Sequence, residues 1–129
     1  MPRTADDIEG YLHRLNRTFE RQEDTFVIST GVDRPRIALH VADPVVVARV
    51  VIGTVPSDEK RQAALFRQML EYNAADLVHA SYGVDNNQLV LSAGEELENI
   101  DENELAASLS DIDLALTRHI AKLHELALE

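Results

Sequence analysis

The five histidines, His13, His40, His79, His119 and His124, are the side chains best suited to ligate a metal or carry a proton near neutral pH. They fall on different predicted elements, whereas a metal site needs several donors converging on one point. His119 and His124 are five positions apart and therefore face different sides of a helix. Together with Lys122 they mark a helix end, where the backbone dipole favours positive charge. Asp85-Asn86-Asn87 and Asp111-Ile112-Asp113 are acidic enough to suggest calcium loops. However, Val90 and Leu116 stand where such a loop needs its glycine, and the second run has no glutamate at the twelfth place.

Glu95, Glu96, Glu98, Asp101, Glu102 and Glu104 form a run of carboxylates with no basic residue among them. Carboxylates that do acid–base work must be desolvated and driven apart in pKa. These instead flank a helix start, where negative charge is stabilised by the dipole alone and a solvated loop suffices to explain them. Gly31, Gly53, Gly83 and Gly94 are isolated and build no phosphate-cradling loop, and no serine has the setting of a nucleophile elbow. Cysteine is absent, so disulfides, thiolate metal sites and cysteine nucleophiles are excluded together. The residues therefore predict no catalytic set, no metal and no cofactor.

Charge narrows the partners. Twelve Lys and Arg stand against 23 Asp and Glu, a formal charge of -11 at pH 7, which repels phosphate backbones and argues against direct nucleic-acid binding. The longest apolar stretch, Val45 to Ile52, is interrupted by Arg49 and is too short for a bilayer span, and the acidic start after Met1 does not read as a signal peptide. A cytoplasmic protein of one domain, residues 1–129, is the expectation; at this length about two-thirds of the unfolded surface is buried on folding.

The elements that must position any site follow from periodicity. Thr4 with Asp7 resembles a capping box, and Ile8, Leu12, Leu15 and Phe19 recur at helical spacing, which predicts a helix from about Ala5 to Arg21. Thr25 to Thr30 is β-prone, Gly31 to Pro35 supplies a turn, and Arg36 to Val41 alternates with period two. Asp43-Pro44 turns the chain again, and Val45 to Thr54 reads as a third strand. Ser57 with Asp58 and Glu59 opens a second helix to Tyr72, carrying Leu65, Phe66, Met69 and Leu70 along one side. Leu77 to Gly83 and Gln88 to Ala93 flank Val84-Asp85-Asn86-Asn87 as a second hairpin. From Asp101 a last helix runs on, with Leu105, Leu109, Ile112, Leu116, Ile120, Leu123 and Ala127 spaced by fours and threes. The predicted class is α+β: a single antiparallel sheet of about five strands with three helices, in the order α-β-β-β-α-β-β-α.

The third strand is the most informative segment. Val46, Ala48, Val50 and Ile52 line one face, while Val45, Val47 and Val51 line the other with Arg49 as its one polar member. Both faces read as covered. The first and third helices are expected over one face and the second helix over part of the other, with a second copy or a partner as the alternative cover. The candidate partner or dimer surface is accordingly Val45, Val47, Arg49 and Val51 of this strand with Phe66, Met69 and Leu70 of the second helix.

The stretch Ala64-Leu65-Phe66-Arg67-Gln68-Met69-Leu70-Glu71-Tyr72-Asn73, then Gly83, Gln88-Leu89-Val90-Leu91 and Leu97 to Leu105, resembles the YbjN-like proteins and, more distantly, the type III secretion chaperones of the Tir chaperone family. The resemblance extends over nearly the whole element order. It implies an acidic, usually dimeric fold that docks segments of partner proteins. In the chaperones an extended, nonglobular effector segment wraps the surface, and in the YbjN-like group the implied role is that of a regulator or accessory partner. Against the acidity, the first hairpin carries the basic patch Arg34-Pro35-Arg36. The function expected is therefore a non-enzymatic protein-binding module, chaperone-like or regulatory and homodimeric. Two other readings are a small-ligand sensor, with a pocket between sheet and third helix using His40 or Tyr82 as polar handles, and a structural subunit of a larger assembly.

Overall fold

In the computed structural model, which describes residues 3–128, the first helix starts where the capping box predicts. Thr4 N–H donates to Asp7 Oδ2 at 2.8 Å, and Asp7 N–H donates back to Thr4 Oγ1 at 3.4 Å. Helix α1 (Ala5–Arg14) then stops seven residues earlier than helical periodicity suggests. Asn16 adopts the left-handed conformation (φ 58°) and Arg17 N–H closes back on Leu12 O, a turn that asparagine tolerates at low cost. Phe19 therefore begins a strand, β1 (Phe19–Gln22), paired with β2 (Thr25–Ile28) through a turn in which Glu23 has φ 57°.

Strands β3 (Ile37–Ala42) and β4 (Val45–Thr54) follow, then helix α2 (Glu59–Ala75), capped by Asp58, whose side chain accepts from Arg61 N–H. Strands β5 (Ser81–Asp85) and β6 (Gln88–Glu96) form the second hairpin. Its turn is the pair Asn86-Asn87, both at positive φ, the geometry that matches the twist of the strands it joins. The predicted last helix is divided at His119 into α3 (Glu102–Arg118) and α4 (Ile120–Ala127). Among the described residues there are six strands and four helices; the extra strand comes from the early stop of α1 and the extra helix from the break at His119.

The sheet order is β1-β2-β3-β4-β6-β5, antiparallel at every pairing. Register aligns core side chains across the sheet: Phe26 pairs with Leu39, Leu39 with Ala48 and Ala48 with Ala93. All four are buried. Onto that face the helices bring Ile8 and Leu12 of α1, Leu65 and Met69 of α2, Leu105, Leu109, Ile112 and Leu116 of α3, and Leu123 of α4. Each such side chain contributes roughly 2 kcal/mol of apolar burial. The expectation that α2 shelters the opposite face is corrected here: its buried residues join the same core as every other helix.

Candidate functional site: the open face of the sheet

With four helices on one side, the other side of the sheet has no helical cover at its centre. Alternation decides which residues are left there. On β4, Val46, Ala48 and Val50 are buried, whereas Val45 and Val51 are 37% and 46% exposed, Arg49 is exposed and Val47 half-buried. The same alternation on β3 buries Ile37, Leu39 and Val41 and exposes Ala38, His40 and Ala42. Register then builds a continuous surface, since Ala38 pairs with Arg49, His40 with Val47 and Ala42 with Val45. It is an apolar strip rimmed by a few polar groups, as expected of a surface that docks another chain.

The polar groups are held locally. Arg49 reaches across β6 to Asp85 at the end of β5, with Nη1 2.8 Å from Oδ2. Thr25 Oγ1 and His40 Nδ1 are 2.8 Å apart on the facing strands β2 and β3. Both contacts are solvent-exposed, so each is worth at most about 1 kcal/mol and yields readily to a competing partner.

Of the predicted surface, Val45, Val47, Arg49 and Val51 therefore share one open face. Leu70 is also exposed, at 67%, but on α2. Met69 is corrected: it is buried in the core beneath α2 and offers nothing to a partner, because the helix turns it some 100° away from Leu70. Phe66 is partly buried and packs against that core as well. The residues that the sequence did not assign to this surface are Ala38, His40 and Ala42. Their alternation was legible, but their place beside β4 depends on strand pairing.

A second polar constellation lies on the helical side. His119, 1% exposed, has Nε2 2.7 Å from Asp76 Oδ2 and Nδ1 2.9 Å from the Tyr82 hydroxyl, and its ring stacks on Tyr72 with centroids 3.6 Å apart. With the imidazole neutral, Nε2–H donates to the carboxylate and Nδ1 accepts from the phenol. Burial, reinforced by the charges of Tyr72, Asp76 and Asp111, raises the Tyr82 pKa well above the ordinary tyrosine value. The Tyr72 pKa is raised too, by burial first and then by Asp76. Such a chain of groups can pass a proton only if substrate reaches it, and here both imidazole nitrogens are engaged in bracing α2, β5 and the α3–α4 junction against one another.

The pocket expected between sheet and third helix is likewise not assembled, because Tyr82 faces the helices and His40 the open side. Asp111, weighed above as a calcium ligand, instead accepts from the backbone N–H groups of Val78, His79 and Ala80 at 3.1, 2.8 and 2.7 Å. Among the described residues, no three His, Asp or Glu side chains are grouped to hold a metal ion, and no helix is long and apolar enough to cross a membrane.

The fold is shared with several solved structures. One chain of the heterodimeric ExoU–SpcU complex from the type III secretion system of Pseudomonas aeruginosa superposes with a TM-score of 0.67 at 18% identity, over 93% of this chain and 97% of that one. YbjN from E. coli gives 0.66 at 15% identity, covering 96% and 95%. The Yersinia pestis structure of the type III secretion chaperone SycH with a fragment of YscM2 gives 0.58 at 14% identity, covering 87% and 98%. At these identities the likeness establishes the fold. No protein of curated function is similar in sequence. The CesT_Tir_1 family model matches residues 1–129, and the chain belongs to that family, as its resemblance to the Tir-type chaperones implies.

Proposed function

We propose that the protein is a non-enzymatic docking module that takes a segment of another protein across the open face of its sheet, with Val45, Val47 and Val51 as apolar contacts and Arg49 as a polar one. The observation that carries this is the valine row of β4, exposed at Val45 and Val51 and half-buried at Val47, on a central strand whose other face is fully committed to the core. A solvated sheet face is ordinarily polar. Membership of the CesT_Tir_1 family supports the reading. So do neighbours in fold solved with partner proteins, among them the HopA1–SchA chaperone–effector complex. We also propose that the working form is a cytoplasmic homodimer, with Leu70 of α2 as a candidate contact.

The test has two arms. The native chain, used as bait in its own cell extract, is expected to retain a partner in fixed ratio that mass spectrometry identifies. The double variant Val47→Glu, Val51→Glu is expected to lose that partner while keeping the native circular dichroism spectrum. Retention of the same partner by the folded variant overturns the proposal.

A further inference from the structure

The loop between α1 and β1 and the loop between β2 and β3 meet the last turns of α3 around a cleft of about 700 Å³, lined among others by Arg17, Arg34, Thr18, Ser29 and Asp113. Its two arginines differ in a telling way. Arg17 is mostly buried and already has its carboxylate, with both terminal nitrogens on Asp113 at 3.3 and 2.5 Å. Arg34 is exposed and is held only by neutral groups. Its stem lies over Gly31, where an added Cβ would stand 3.4 Å from Arg34 Cδ and where φ is +137°. Its Nη1–H donates to Thr117 Oγ1 at 3.2 Å, and the Thr117 hydroxyl is itself committed to Asp113 O at 2.9 Å.

Among the described residues Arg34 has no ion pair, as is also true of Arg3, Lys60, Arg61 and Arg118, whereas Arg14, Arg17, Arg21, Arg49 and Arg67 each have one. An adjoining cleft shares Thr18 and Ser29 with the first and is lined by both Glu20 and Arg36, the latter with no ion pair among the described residues. A guanidinium oriented in advance, with most of its five N–H donors unused and no counterion, has the geometry that accepts a carboxylate two-pronged.

We infer that this basic cleft is a second docking site, specific for acidic side chains of a bound polypeptide, with one carboxylate on Arg34 and a second on Arg36. A polypeptide fits better than a free anion because the two clefts are contiguous and open. The spacing of the two arginines, two residues apart in one loop, also suits acids on alternate residues of an extended chain. The Arg34 half of the site lies at the end of the sheet beside α3, and the Arg36 half borders the open face, next to Val27, which pairs with Ala38.

The experiment follows the ¹H–¹⁵N spectrum of the full chain, including the arginine Nε–H signals. Three probes are added separately: a capped Ala-Glu-Ala-Glu-Ala peptide, its Gln counterpart and inorganic phosphate. The glutamate peptide is expected to move the Arg34 and Arg36 Nε–H signals and the Gly31 amide saturably. The Gln peptide should bind about tenfold more weakly or less, as expected when charge assistance is lost. Arg34→Gln should abolish the effect, and Arg34→Lys should weaken it by removing the fork while keeping the charge. The inference is overturned by absence of any shift at these residues, by equal binding of the Gln peptide, or by a response to phosphate without one to the peptide.

Discussion

The imidazole of His119 shows how a residue that suggests chemistry can serve structure. Its two nitrogens and one ring face are all engaged, by Asp76, Tyr82 and Tyr72. Removing the phenol hydroxyl in Tyr82→Phe leaves a buried ring nitrogen without its partner, and we expect a loss of about 1–3 kcal/mol in urea denaturation. The same phenol predicts an alkaline limit. Because burial raises the folded pKa of Tyr82 above the ordinary value of 10.0, the protonated form is favoured by folding. Its contribution is complete below pH 10 and declines as pH rises from there toward the folded pKa, once the unfolded chain can ionise. Ultraviolet titration should therefore show ionisation of Tyr82 coinciding with unfolding, and early ionisation in the folded state would contradict the buried network. The role of His119 was not legible in the sequence, since Asp76 and Tyr82 are 43 and 37 positions away from it.

At the scale of elements, local signals were read correctly where the chain makes its own boundary. The Thr4–Asp7 box, the Asp101 cap and the Asn86-Asn87 turn are each decided by neighbouring residues. Where tertiary contacts choose between two outcomes, periodicity misled: Phe19 fits a helical stripe, yet it pairs with Ile28 once Asn16 has turned the chain. Likewise, the spacing from Leu105 to Ala127 is continuous although the helix breaks at His119. Of the proposed docking surface, the valine alternation of β4 was legible and its openness was not, because that depends on every helix choosing the same face. A further consequence concerns the loop before β5. Asp111→Ala should leave three backbone N–H donors at Val78, His79 and Ala80 without their acceptor and cost about 1–3 kcal/mol, whereas Asp111→Asn, which retains an oxygen, should cost less. Denaturant titration of the two variants checks the order.

For the whole molecule, charge and the open face act together. A net charge of -11 steers a basic partner and repels an acidic one at long range, so association with the native partner should slow as salt is raised if that partner is basic. The acidic peptide proposed for the Arg34 cleft must instead be held by short-range forks, and its binding should survive only where both arginines are free. Light scattering at micromolar concentration is expected to give the mass of two chains, and Leu70→Glu to shift it toward one. The most direct test of docking on the open face uses the absence of cysteine, which allows a single thiol to be placed by Val51→Cys. Its maleimide labelling rate should be close to that of an exposed thiol in the free protein and fall at least tenfold when the native partner is bound; a rate unchanged by a saturating partner would contradict the account.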